Sequence, residues 1–131
     1  MPARLSPART LVPRTLVPWD VVRVDFPFAD EAATRRRPAL VIAAPSVTDA
    51  FSIIWVLMIT SANRGPWPLD VPVSDLRRGG LPHACVVRTS KIATFDSRIA
   101  DWIGELAEAD RAKVSAAVRT ILGTVTAVDA P

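Results

Sequence analysis

Hydrophobic and polar positions alternate in one part of this chain and fail to alternate in another, and the contrast predicts most of the elements. From Val22 to Phe26 the order Val-Arg-Val-Asp-Phe sets apolar against polar side chains in turn, the period of a strand with one wet face. Ile53-Ile54-Trp55-Val56-Leu57-Met58-Ile59 is instead an unbroken apolar run that ends at Thr60 and Ser61. It is too short for a membrane span. Its β-branched and aromatic content, with turn formers on both sides, predicts a central strand with neither face solvated, against a buried helix segment. Pro38 to Ala43 predicts another buried strand after a polar loop from Pro27 to Arg36. It is expected to open at Pro38, because proline is tolerated at the first residue of a strand and not in its middle.

Further on, Leu69-Asp70-Val71-Pro72-Val73 is a short piece whose Pro72 suits a sheet edge, and Ser74 to His83 is a loop. Cys85 to Arg88, then Lys91-Ile92, continue as strand, and Arg98 to Gly104 is the last. A helical period appears only near the end. Val114, Ala117, Val118, Ile121 and Leu122 share one face, and Gly123 is positioned as the stop. Glu108 and Asp110 lie in the first turn, where the helix dipole favours acids, while Ala107 is a poor N-cap. Many short strands with one terminal helix predict a mainly β protein, a small and strongly bent barrel.

Composition adds three constraints. The 131 residues make one domain, and half of them are hydrophobic, with a mean hydropathy of +0.26. That balance predicts an apolar subunit contact, with a symmetric homodimer as the default. The single cysteine, Cys85, excludes an internal disulfide framework, fits a reducing cytoplasm, and sits in an apolar strand context unsuited to a reactive thiol. One Cys and one His cannot build a zinc site, no Gly-rich phosphate loop or GxSxG elbow occurs, and no cofactor is implied.

The net charge of +3 comes entirely from Arg4, Arg9 and Arg14, since the rest of the chain balances. Those arginines belong to a basic tail, residues 1–18, with Arg-Thr-Leu-Val-Pro in tandem at 9–13 and 14–18. Its prolines break any helix and it has no apolar h-region, so it reads as neither signal peptide nor anchor. It is expected to be disordered or to lie upstream of the true start, with a phosphate-contacting arm as the alternative. On that reading residues 19–131 form the domain, and deleting 1–17 leaves stability unchanged. Of sixteen basic residues fourteen are Arg, either a preference for phosphate-binding forks or a bias of the coding sequence.

Candidate chemistry therefore rests on arginine and hydroxyls. Arg35-Arg36-Arg37 is either a solvated charge run or a clamp, because Arg37 abuts the rigid start of a strand. An arginine fixed beside the hydroxyls of Thr60 and Ser61 could hold a phosphodiester. The lone histidine, His83, in Leu81-Pro82-His83, reads as a loop residue rather than a general base. Trp67, in Pro66-Trp67-Pro68, either stacks on an unpaired base or caps the barrel or a subunit contact.

Several blocks together resemble the PemK/MazF toxin family. They are Trp19-Asp20-Val21-Val22-Arg23-Val24-Asp25-Phe26, Arg37-Pro38-Ala39-Leu40-Val41 and Ile59-Thr60-Ser61. Gly80-Leu81-Pro82, Val86-Val87-Arg88 and Ile103-Gly104-Glu105-Leu106 follow in register, so the likeness runs from Trp19 to Gly123. The resemblance implies an SH3-like β-barrel of the CcdB/PemK kind, a homodimer acting as a metal-independent endoribonuclease on single-stranded RNA. It implies a cognate antitoxin whose tail occupies the RNA groove, operator DNA contacted only through that antitoxin, and no membrane partner. Arg37 and Thr60 match the family's essential arginine and threonine. Arg37 would counter charge on the phosphate as the substrate's 2′-OH attacks, and Thr60 would hydrogen-bond the same phosphate. Ser61, Arg35, Arg36, Glu31, Lys91 and Trp67 would line the RNA.

The chain also departs from the family. Ser90-Lys91 stands where many members have Asp-Gln, Trp19 replaces a glycine, and Asp30 and Glu31 only approximate a loop carboxylate. These changes leave the proton acceptor open. Two other readings compete: a related barrel toxin that binds DNA gyrase, and a non-catalytic RNA-binding module on the same scaffold. The first needs particular residues, often an aromatic pair, at the extreme C-terminus, and Thr124-Val125-Thr126-Ala127-Val128-Asp129 has none.

Overall fold

A computed structural model describes residues 14–27, 34–44 and 52–128. Six strands occur: β1 (Asp20–Pro27), β2 (Thr34–Ala43), β3 (Ile53–Ser61), β4 (Val71–Pro72), β5 (Cys85–Asp96) and β6 (Asp101–Glu105). A 3-10 turn, Ser97–Ile99, separates the last two, and the α-helix α1 (Glu108–Thr126) follows. The strands form one antiparallel sheet in the order β4-β5-β3-β2-β1-β6. It is the mainly β, curled barrel that the strand pattern predicts.

Both sides of the sheet are buried, which explains the runs that do not alternate. Ile54, Val56 and Met58 of β3 join Val22, Val24, Ala39 and Val41 in one apolar cluster. Leu57 and Ile59 point the other way, joining Val21, Leu40, Val87, Leu106 and Val114 in a second cluster under α1. The expectation that neither face of the run is wet fails at one residue. Trp55 lies on the helix side of β3 with 47% of its surface exposed.

The structure corrects the sequence at several boundaries. β2 begins at Thr34, so Pro38 sits inside it. Pro38 pairs with Arg23 of β1, whereas pairing to β3 begins only at Ala39. The missing N–H therefore removes no bond from a two-sided ladder, which is how a proline survives there. The two pieces expected near Cys85 and Lys91 are one strand. It bends where Leu57 faces Ile92 and Ile59 faces Val87, leaving four β5 residues opposite Met58. Such an insertion re-aims the strand. α1 passes through Gly123 to Thr126 rather than stopping.

The tail boundary also moves. Leu16, only 6% exposed, is buried in the first cluster, with Val22, Val24 and Ile54, the Val17 amide donates to Asp20 Oδ2 at 2.8 Å, and Arg14 stacks on Trp102 at 3.7 Å. Residues 14–18 are thus a docked arm; residues 1–13 lie outside the described part. Trp19 follows with φ +81°, the left-handed region that glycine occupies freely. Its amide donates to the Val41 carbonyl at 2.8 Å and its carbonyl accepts from Leu106 at 2.9 Å, so the strained conformation is held from both sides.

Candidate active site

The site arises where two strands part. From Ala39 onward β2 pairs with β3, but Arg37 and Pro38 stay with Val24 and Arg23 of β1. On the other side of the gap Thr60 and Ser61 pair with Val86 and Cys85 of β5. A cleft of about 220 Å³ opens between the diverging ends, lined by Arg37 and Pro38 on one wall and Ile59, Thr60 and Ser61 on the other. Arg37 and the strand-end residues Thr60 and Ser61 thus line the same cleft.

Among the described residues four guanidiniums line the cleft, Arg23, Arg36, Arg37 and Arg64, and no carboxylate does. That is an anion site by composition. The arginines are not equivalent. Arg36 donates from Nη1 to Asp25 at 3.1 Å and from Nη2 to Asp101. The Asp25 hydrogen bond, opposed by partial burial and helped by the charge of Asp101, pushes its pKa above the usual arginine value. Its charge is therefore already answered by two acids, which weakens the case for Arg36 as a phosphate ligand.

Arg64 comes from the loop after β3, and a buried ion pair holds that loop. Arg88 donates to Asp70 from Nε at 3.2 Å and from Nη2 at 2.9 Å, and its Nη2 also reaches the Arg64 carbonyl. The same guanidinium lies 4.3 Å from the Trp67 ring centroid, and the Trp67 amide donates to Asp70 at 3.0 Å. Burial alone would raise the Asp70 pKa, but the hydrogen bonds from Arg88 and Trp67 and the Arg88 charge hold it below the usual carboxylate value. Trp67 is thereby fixed outside the cleft, with 44% of its surface exposed.

Of the residues proposed from sequence, Arg37, Thr60, Ser61 and Arg36 come together. Lys91 and Trp67 do not line this cleft; Lys91 is exposed within the bend of β5. Glu31 and the Arg35 side chain lie outside the described residues. Sequence reading missed Arg23, Arg64 and His83. Arg23 is a polar position of the alternating first strand, Arg64 is four residues past Thr60 in a Gly-Pro turn, and His83 had been assigned to a loop. The Cys85 thiol is buried at the cleft floor, and desolvation pushes its pKa up. Among the described residues no three His, Cys, Asp or Glu side chains converge as a metal site would need.

The model of PemK-like, MazF-like toxins of type II toxin–antitoxin systems matches residues 18–122. The chain belongs to that family. This PemK-like toxin also shares its fold with solved structures at low identity. MazF from Deinococcus radiodurans superposes with a TM-score of 0.66 at 23% identity, over 84% of this chain and 98% of that one. An endoribonuclease from a mycobacterial species, in complex with its cognate antitoxin, gives 0.65 at 19%, over 82% and 95%. The Mycobacterium tuberculosis toxin MazF-mt6 gives 0.60 at 21%, over 82% and 97%. No curated protein matches.

Proposed function

We propose that this toxin is a metal-independent endoribonuclease that cleaves single-stranded RNA by attack of the substrate's own 2′-OH. The observation that carries the reading is the cleft between the diverging ends of β2 and β3, where Arg37 faces Thr60 and, among the described residues, the lining has four guanidiniums and no carboxylate. A phosphodiester seated there meets fixed positive charge where the phosphorane develops its own, and the Thr60 and Ser61 hydroxyls hydrogen-bond its oxygens. Arg37 and Thr60 act on the reacting phosphate; Ser61, Arg23 and Arg64 hold the strand. The expected products are a 2′,3′-cyclic phosphate and a 5′-OH.

The toxin works in the cytoplasm as a homodimer, restrained by a cognate antitoxin through which alone operator DNA is met. Two similar toxins have been solved with their antitoxins, and a cationic cleft suits a carboxylate-bearing antitoxin segment. The dimer is favoured by an apolar groove of about 460 Å³ in which Trp55, Leu57 and Ile92 of the sheet face Val118, Ile121 and Leu122 of α1.

The test is incubation of purified protein with single-stranded RNA in excess EDTA, beside a substrate with one 2′-deoxy nucleotide 5′ to the cut. The first is cut at an undiminished rate and the second remains whole. Cleavage of the deoxy substrate, or a product with a free 3′-OH, removes the 2′-OH as nucleophile. Uncut RNA with inhibited gyrase supercoiling makes the protein a gyrase toxin instead.

A further inference from the structure

Two clefts meet at one pair of residues. The cleft that holds Arg37 and Thr60 and a neighbouring one of about 480 Å³ along Ala62 and Asn63 share Ser61 and His83. A nucleotide chain with its phosphate against Thr60 and its next residue along Asn63 passes the imidazole. Backbone pairing holds His83 there. Cys85 pairs with Ser61, and the Ala62 amide donates to the Ala84 carbonyl at 3.0 Å, so the segment bearing His83 is tied to the strand end bearing Thr60.

The ring is exposed, and its Nδ1 lies 3.3 Å from the Ala84 carbonyl. A carbonyl oxygen only accepts, so in the tautomer that makes this contact Nδ1 carries the proton and Nε2 the lone pair. The groups around it are Arg23 of β1, Arg36 and Arg37 of β2, Arg64 of the loop after β3, and the Cys85 thiol of its own segment, 3.9 Å from Nδ1. Guanidiniums cannot accept a proton, and burial disfavours the thiolate. No carboxylate lines either cleft among the described residues. Among the described lining residues the imidazole is the one base.

We propose that His83 is the general base of the ribonuclease reaction, an inference that rests on the reading under Proposed function. Nε2 takes the proton of the 2′-OH as that oxygen forms its bond to phosphorus. The P–O5′ bond breaks, and the leaving 5′-oxygen takes a proton from solvent while the imidazolium returns its own to solvent. No co-reactant is consumed. Arg37 then serves electrostatics alone, and the proton acceptor left open by the missing Asp-Gln pair is supplied by the loop before β5.

Wild type, His83→Ala and His83→Gln are compared for single-turnover cleavage of single-stranded RNA between pH 5 and 9. Melting temperature and affinity for an uncleavable 2′-deoxy oligonucleotide are measured alongside. Wild type is expected to speed up as pH rises, as a reaction that needs an unprotonated general base does. Both variants should keep fold and affinity, lose roughly 10²–10⁴-fold in rate and lose that rising limb, with free imidazole restoring part of the His83→Ala rate. Variants that cut like wild type with the same profile overturn His83 as base while leaving the ribonuclease standing. A fully active His83→Gln shows a hydrogen-bonding role and overturns it too, as does loss of oligonucleotide affinity that accounts for the rate. If wild type cuts no RNA, the ribonuclease reading itself falls and the proposal with it.

Discussion

Arg37 is half-buried and belongs to neither apolar cluster. Arg37→Ala should therefore abolish RNA cleavage and leave the melting temperature within a few degrees of wild type, a pair of measurements that separates a catalytic arginine from a structural one. Arg88 is its opposite. It is buried against Asp70, with 8% and 10% of the two side chains exposed, and removing one partner strands the other's charge. Asp70→Asn should cost about 3–5 kcal/mol at pH 7, read by denaturant unfolding. The same pair gives the wild type an acid limit. Because the folded pKa of Asp70 is depressed below the unfolded value of 3.8, its contribution is complete above that value and is lost as pH falls through the folded one. Wild type should lose stability below pH 4 more steeply than Asp70→Asn. At this scale Arg37 and Thr60 stood out because each adjoins the end of an apolar run, although β2 itself begins earlier, at Thr34. Arg64 and His83 were not, because their place depends on loops held by Arg88 and by the pairing of Cys85 with Ser61, long-range contacts that local pattern does not carry.

Among elements, the N-terminal arm departs furthest from expectation. A proline-rich repeat with no periodicity gives no sign of burial, yet Leu16 closes the apolar cluster on the side of the sheet away from α1. Leu16→Ala should cost about 2–3 kcal/mol, on the order of 10 °C in melting temperature, without changing the cleavage rate of the folded protein. An unchanged melting temperature would return the arm to the status of a loose tail. The strands were read correctly in kind because β-branched runs bounded by turn formers have few alternatives. Their ends were misread because Pro38 was judged as though β2 were paired on both sides along its whole length. The helix was read correctly in face but not in length. Val114 and Ala117 are buried, whereas Ile121 and Leu122, on the same stripe, are 43% and 44% exposed, so half of the stripe awaits cover.

For the whole molecule that uncovered stripe is the main feature besides the cleft. Trp55 on β3, Ile92 on β5 and the end of α1 form one apolar surface, and the proposed second copy would bury it. Trp55→Lys should turn a dimer into a monomer in sedimentation velocity, whereas a wild type that sediments as a monomer at high concentration would contradict the dimer. The positive hydropathy of the sequence signalled such a surface; its position emerged only once the helix was seen to extend beyond the residues it packs on.

The cleft has one more consequence. Its four guanidiniums arrive on separate pieces of chain: Arg23 on β1, Arg36 and Arg37 on β2, Arg64 on the loop beyond β3. Like charges gathered from different segments push those segments apart, and an anion between them reverses the sign of that force. Occupancy and folding are then thermodynamically linked. A polyanion or an acidic antitoxin segment present at a hundred times its dissociation constant would add about 2.7 kcal/mol to the unfolding free energy. An inhibitor that fills the cleft would therefore also preserve the toxin it silences, and its release would yield a protein that is at once active and less durable.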